Sequence, residues 1–269
     1  MQRGCTLPSY YELMEALMAE RGPDHPIWED NDKIKGRQLG EISELHVPQI
    51  YYGPGKLRSF PNPERDCVIK PVNGCSARGI FPLLWLGEDK YRNLFTGRKT
   101  TWAVAVTEAL EAKHSERNKA LIEQGHPDAM RPPWIIEELI HDDGVLPCDW
   151  KAFCFGGRVE AVFQMARKPN RNTKPVRWWS RDWRDIGSIM PIKTYRRDST
   201  LRPPNDPQGM IDAFERVAQV IDSPFIRVDL YEQGDRIVFG EVTPHPTGNT
   251  SRFNDTWDRK FGEAWEAAL

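Results

Sequence analysis

The chain has 269 residues, 39% of them apolar, and a formal net charge of −2. That length suits one large domain or two or three closely packed subdomains, and the near-neutral balance offers no global basic field to nucleic acid. No apolar run is long enough to predict a membrane span, Met1 to Ser9 lacks the regions of a secretory signal, and five cysteines without a CxxC pair fit reduced thiols in a cytoplasmic protein.

Ser9 followed by Glu12 reads as a capping box, and Tyr10 to Arg21 carries apolar residues at helical spacing until Gly22-Pro23 stops it. A second helix is expected over about Asp32 to Leu45, weakened by Gly36 and Gly40. Val47 to Tyr52 reads as extended, with Pro- and Gly-rich chain to Pro63. Cys67-Val68-Ile69 is a short strand running into Lys70-Pro71; the small-residue loop Asn73 to Gly79 and the apolar run Ile80 to Leu86 follow. Thr100 to about Gly125 predicts a weakly amphipathic helix and Trp134 to Ile140 a strand. Trp150 to Phe155 and Arg158 to Met165 read as a hairpin across Gly156-Gly157. Arg167 to Pro207 is basic, Trp-rich and without pattern, which in a compact domain signals a functional loop. A helix over Gly209 to Ile221, strands over Phe225 to Tyr231 and Arg236 to Thr243, and a helix over Asp255 to Ala268 complete an α+β order.

Three constellations carry chemistry. In the last strand pair, alternation sets Arg227, Asp229 and Tyr231 on one face of the first strand, and Ile237, Phe239, Glu241 and Thr243 on one face of the second. Asp229 and Glu241 can then approach across the hairpin. Two such carboxylates suit magnesium, a hard cation that keeps waters and bridges phosphates, and Arg227 could hold a phosphate oxygen or a developing oxyanion. A surface hairpin with unpaired acids is the plain alternative. In the second constellation, Lys70 at a strand end and the following loop can offer a cation and backbone N–H groups to phosphate, although no Walker A pattern is present. In the third, Glu137-Glu138-Leu139 could offer backbone groups to an adenine edge, Asp149 could reach a ribose hydroxyl and Lys151 a phosphate; an ordinary strand with a solvated end would look the same.

Taken in order, these segments resemble the ATP-grasp superfamily, and within it the teichuronopeptide-biosynthesis-like proteins. The resemblance runs from Asp32-Lys33 through Val68-Ile69-Lys70-Pro71, Asn73-Gly74, Gly79, Glu137-Glu138-Leu139 and Asp149 to Gly157. It ends on Ile226 to Tyr231 and Phe239 to Thr243. It implies an ATP-grasp fold of two α+β subdomains clasping ATP, expected over 64–143 and 144–269, with residues 1–63 as a short helical and extended N-terminal segment on the substrate side. Lys33 and Lys70 resemble the lysines that hold ATP phosphates, and Asn73, Ser76 and Arg78 fall in the loop that resembles the lid. Glu137, Glu138 and Leu139 resemble the adenine hinge, Asp149 the ribose contact, Asp229 and Glu241 the ligands of Mg2+, and Arg227 the arginine that steadies a tetrahedral intermediate. Many members carry Asn two residues after the metal-binding Glu; here Thr243 stands there, and the third ligand is open between Thr243 and Asn249.

The implied activity is a ligase that uses ATP and magnesium to activate a carboxylate as an acyl phosphate and pass it to an amine or other nucleophile. A phosphotransferase on a small molecule and a non-catalytic nucleotide-binding module are the alternatives. His245, just after the metal strand, is a candidate general base, weighed against a plain polar contact. The basic stretch from Arg167 to Trp183 is the candidate substrate-facing loop, and its charge suggests an acidic acceptor such as an amino acid, a peptide or a sugar acid. A solvated loop that packs its Trp rings is the competing reading. The expected partners are small molecules, neither nucleic acid nor membrane, and the resemblance leaves a homodimer open.

Overall fold

The computed structural model describes residues 7–22, 25–30, 32–72, 79–113, 119, 123, 133–167, 173–246 and 252–269. Helix α1 (Tyr10–Arg21) begins on the expected capping box: Ser9 Oγ accepts the Glu12 N–H and the Glu12 carboxylate accepts the Ser9 N–H. The helix expected over Asp32 to Leu45 is shorter, α3 (Arg37–Ile42), and a turn of helix, α2 (Ile27–Asp30), precedes it unannounced. Asp32 explains the difference. Its Oδ1 accepts the N–H groups of Ile34 and Lys35, winding those residues into turns rather than helix.

The first sheet holds β1 (Ile50–Gly55), β2 (Cys67–Pro71), β3 (Phe81–Gly87), β4 (Lys90–Asn93), β5 (Lys99–Thr101) and β6 (Trp134–Glu138), in the order β1-β6-β2-β3-β4-β5. Every neighbouring pair is antiparallel. Helix α4 (Trp102–Lys113) closes its core through Trp102, Ala105 and Ala109 on Ile69, Leu83 and Tyr91. The β3–β4 hairpin was not foreseen. Its turn places Glu88 and Asp89 at φ of 50° and 57°, a two-residue turn built without the Asn-Gly signal that usually announces one.

The second sheet holds β7 (Asp149–Phe155), β8 (Arg158–Met165), β9 (Lys174–Ser180), β10 (Tyr195–Arg197), β11 (Phe225–Gln233) and β12 (Arg236–Thr243), in the order β10-β9-β8-β7-β11-β12. β9 and β10 run through the stretch expected to be patternless loop. Helix α5 (Pro207–Gln219), capped by Asp206, buries Met210, Phe214 and Val217 on one face of the sheet, against Ala152, Cys154, Ile226, Val228 and Leu230. On the other face, α1 and α6 (Asp255–Glu266) bring Tyr10, Phe261 and Trp265 onto Phe153, Phe155 and Phe225. Each fully buried ring of this kind contributes roughly 1.5–3 kcal/mol. That aromatic cover reaches only the C-terminal half of β7. Asp149 and Lys151, on the same strand face by alternation, lie beyond the rings, so the fold leaves half of this face for polar side chains. Among the described residues no helix is long and apolar enough to cross a membrane.

Candidate active site

Register aligns five side chains in one row across the second sheet. Trp178 stands opposite Phe163, Phe163 opposite Lys151, Lys151 opposite Asp229, and Asp229 opposite Glu241. Simple alternation put Glu241 on the face of Ile237 and Phe239. The structure corrects this: the register slips between Asp229 and Leu230, so Leu230 pairs with Phe239 while Asp229 pairs with Glu241. Phe239 and Ile237 pack into the core under α5, whereas Glu241 and Thr243 turn to the face of Asp229 and Arg227. Gly240 makes the slip possible, because a Cβ there would stand 2.7 Å from the Asp229 carbonyl oxygen. Bulges beside sites commonly re-aim a side chain in this way.

Asp229 is 2% exposed and meets two cations. Arg227 Nε donates to its Oδ1 at 2.6 Å, Arg227 Nη2 to its Oδ2 at 2.8 Å, and Lys151 Nζ also meets Oδ2. The same Nη2 donates to Thr243 Oγ1 at 2.8 Å and lies 3.7 Å from Glu241 Oε1. Burial pushes the Asp229 carboxyl up, but the Arg227 guanidinium and the Lys151 ammonium outweigh it and hold it below the usual carboxylate range. Burial likewise pushes Arg227 down, and Asp229 reverses it. Asp229 and Arg227 thus stabilise each other's charged forms. Among the described residues no group of three His, Cys, Asp or Glu side chains gathers around a metal position. The donors still fit a magnesium ion shared with phosphates. An ionised carboxylate offers about four lone-pair sites, and three on Asp229 are taken, which leaves one on Oδ1; Glu241 adds a half-exposed carboxylate beside it. Thr243 already accepts from Arg227.

Between the two sheets lies a cleft with apolar walls, among them Val68, Ile80, Pro82, Phe95, Leu139 and Leu146. Its polar lining comes from Lys70, Glu137, Glu138, Asp149, Arg167 and Tyr231. Lys70 Nζ sits 2.5 Å from Glu137 Oε1, and Arg37 Nη1 lies 3.5 Å from the other carboxylate oxygen. Glu138 Oε2 accepts the Gln49 N–H and meets His46 Nε2 at 2.9 Å. Asp149, 1% exposed, has Arg167 Nη2 2.8 Å from its Oδ2, and the Arg167 guanidinium, just past β8, stands over the Phe95 ring, just past β4, at 5.3 Å.

Of the residues singled out from sequence, Lys70, Glu137, Glu138, Leu139 and Asp149 thus line one cleft. Lys151, Asp229 and Glu241 stand in the adjoining row, with Arg227 and Thr243 paired beside it. Lys33 stands apart from the cleft lining and donates to the Val72 carbonyl at 3.3 Å, at the end of β2. His245 is partly buried two residues past β12. Asn73, Ser76, Arg78 and Asn249 lie outside the described residues. The Trp-rich stretch is not the loop it was expected to be. Trp178 and Trp179 are each 3% exposed, on opposite faces of β9, and Trp179 Nε1 donates to Gln164. Arg177 pairs with Asp185 and Arg181 with Glu215. Sequence reasoning did not assign Arg167 or Tyr231 to the cleft, nor Arg37 and His46 to the wall acids Glu137 and Glu138. Tyr231 carried a signal in its parity with Asp229; the others sit where the pattern announces only helix, extended chain or loop.

A fold of two antiparallel-rich sheets with a cleft of this lining between them is the ATP-grasp architecture. The family model for TupA-like ATP-grasp proteins matches residues 56–266, and the chain belongs to that family. A comparison with curated proteins finds no match. Among solved structures the chain is similar to D-alanine-D-alanine ligase from Helicobacter pylori, at 13% identity and TM-score 0.48, covering 97% of this chain and 67% of that one. It is similar also to the ATP-grasp ligase PsnB complexed with minimal precursor, at 12% identity and TM-score 0.46, covering 91% of this chain. A third is the D-cycloserine synthetase DcsG, at 16% identity and TM-score 0.46, covering 97% and 78% of the two chains. The chain spans 64% of the length of PsnB.

Proposed function

We propose that the protein is an ATP- and magnesium-dependent ligase that activates a carboxylate as an acyl phosphate and joins it to an amine or another nucleophile. The observation that carries this reading is the adjacency of an apolar cleft rimmed by Lys70 and Arg167 to the row of Lys151, Asp229 and Glu241 with Arg227. A flat ring fits such a cleft, with Glu137, Glu138 and Leu139 along its edge and Asp149 at the sugar. Lys70 and Lys33 would take phosphate oxygens, assisted by Asn73, Ser76 and Arg78. Asp229 and Glu241 would hold magnesium, with Thr243 or Asn249 as a further oxygen donor; when bound, the ion supplies charge neutralisation at the phosphates. Arg227, fixed on Asp229 by two hydrogen bonds, is preorganised to stabilise an oxyanion without reorganising. His245 is the candidate to take a proton from the nucleophile. The free thiols of Cys67 and Cys154 support a cytoplasmic setting.

The test is ATP turnover with magnesium against a panel of amino acids, short peptides, sugar acids and small carboxylates, with and without hydroxylamine, resolving ADP, AMP and phosphate. Carboxylate-dependent ADP release with a trapped hydroxamate is the expected result. A stable phosphorylated product would make the protein a phosphotransferase, AMP would overturn the acyl-phosphate route, and nucleotide binding without turnover across the panel would leave a binding module.

A further inference from the structure

The lysine that enters the cleft from β2 does not stand alone. In the β2–β6 ladder Lys70 pairs with Ile135 and Val68 with Glu137, so Glu137 is the diagonal neighbour of Lys70 on the cleft face of the sheet. The two side chains meet at 2.5 Å, Lys70 Nζ on Glu137 Oε1, and are only 16% and 8% exposed. An ammonium held in this way must leave the carboxylate, wholly or in part, before it can serve a phosphate. Leaving it strands a buried acid, and a buried acid stripped of its partner is strongly destabilising.

Arg37 supplies a second cation. It opens α3, whose Leu39 packs in the core with α5 and β12, and whose Gly40 lies so near β12 that a Cβ there would stand 2.6 Å from the Phe239 ring. From that anchorage the guanidinium reaches across to the first sheet. Its Nη1 lies 3.5 Å from Glu137 Oε2, and its Nη2 donates to the Pro48 carbonyl. Arg37 is itself only 17% exposed. Glu137 thus has one cation at each oxygen, and among the described residues these are its two ion-pair partners. Two cations on one carboxylate leave one positive charge in surplus at the cleft wall. The Arg37 end is tied down by Pro48, whereas Lys70 ends a flexible four-carbon stem.

We propose that Arg37 is a positioning residue for nucleotide binding: it stays on Glu137 as the permanent counter-ion and so frees the Lys70 ammonium to turn to the phosphates. The proposal rests on the ATP reading for the identity of the anion that Lys70 meets. Releasing Lys70 then burdens a carboxylate that keeps one cation, not one left with none. It also gives the N-terminal segment a part in the site, since α3 is carried by the core of the second sheet yet balances an acid of the first.

The experiment is titration calorimetry of the full chain with ADP and magnesium, on the parent and on Arg37→Met, Glu137→Gln and the double variant, each checked for folding by its thermal melt. Arg37→Met keeps an apolar stem and removes the charge, so Lys70 becomes the sole cation of Glu137. The dissociation constant for ADP is expected to rise at least about tenfold. Glu137→Gln keeps the backbone of β6 and releases Lys70 outright, and should bind ADP no more weakly than the parent. The double variant should bind within about threefold of Glu137→Gln, so that removing the carboxylate rescues the loss of the guanidinium. Arg37→Met binding as the parent does would overturn the proposal. So would a Glu137→Gln variant as weak as Arg37→Met, or a double variant that stays weak, because a tie that merely bolts α3 to the first sheet is broken by either substitution. Should Arg37→Met fail to fold, Glu137→Gln alone decides between the two. Absence of ADP binding by the parent would overturn the ATP reading and the proposal with it; binding by the parent together with any of the failures above leaves that reading standing and removes Arg37 alone.

Discussion

Replacing Asp229 by Asn is the sharpest perturbation of the charged row. Asp229 is 2% exposed and answers two cations whose side chains are themselves only 14% and 17% exposed, Arg227 and Lys151. Asn keeps the shape and one acceptor but removes the charge and turns an N–H2 group toward a donor. Glu241 is the nearest remaining acid, 3.7 Å from Arg227 and 41% exposed, so it compensates in part. Leaving a buried ion pair without one partner costs about 3–5 kcal/mol. With Glu241 in reach, about 3 kcal/mol is expected, which for a chain of this size lowers the melting temperature by about 6–12 °C. Thermal melts followed by circular dichroism measure it. Because the cost comes from surplus cations, Asp229→Asn combined with Lys151→Met should be less destabilised than the sum of the two single variants. Strict additivity, or an Asp229→Asn melt within about 2 °C of the parent, would refute the charge-balance reasoning.

Gly240→Ala should cost about 1–3 kcal/mol, because its Cβ would meet the Asp229 carbonyl at 2.7 Å and the Tyr231 ring at 3.0 Å; a chemical denaturation midpoint checks it. The slipped register that turns Glu241 toward Asp229 should relax with it, and manganese binding in the presence of ADP, read by electron paramagnetic resonance, should weaken in step. Burial pushes the Asp185 carboxyl up, yet the Gly187 N–H and the Arg197 and Arg177 guanidinium groups hold it below the ordinary 3.8. A folded-state value below the unfolded one contributes stability that is fully present above about pH 4 and is lost as the pH falls through the folded value. Asp185→Asn should therefore flatten the acid limb of the melting-temperature profile below about pH 4 and leave its neutral plateau lower. Burial pushes the Cys67 thiol up to about 12 and Cys154 well above its ordinary value, so at pH 8 iodoacetamide should label half-buried Cys148 before either of them, as peptide mapping will show.

What sequence could reveal follows from how local each cause is. The α1 capping box, the strand entering Lys70 and the Gly156-Gly157 hairpin are set by residues within a few positions of one another, and they stand where the pattern put them. β9 was illegible for the opposite reason. Lys174 to Ser180 alternates buried residues on two faces, Trp178 facing the α1 and α6 side and Trp179 the α5 side, so neither the polar count nor the proline count betrays a strand buried on both faces. β10 has three residues and exists only as a parallel partner to β9. The β3–β4 turn escaped because Glu88 and Asp89 adopt positive φ without glycine.

The same distinction governs the site. Asp229 and Glu241 were legible as a pair because a short turn fixes them as neighbours, yet the reason given from strict alternation would have set Glu241 beside Phe239, against the core. Pairing survives only because the register slips at Gly240, and a glycine inside a strand is the single sequence feature that signals such a slip. Arg167 and Lys174 could be recognised as basic but not told apart from Arg177 or Arg181, since what separates them is the acid each one meets across the sheet. Arg177 and Arg181 find Asp185 and Glu215 away from the cleft; Arg167 finds Asp149 at its wall; among the described residues Lys174 finds none. Charge composition therefore could not tell which of these cations stands at the cleft. The strand register, with β9 and β10 unannounced in this stretch, is what sorts it: Lys174 stands opposite Tyr195 at the sheet edge, and Trp178 in the row of Lys151 and Asp229.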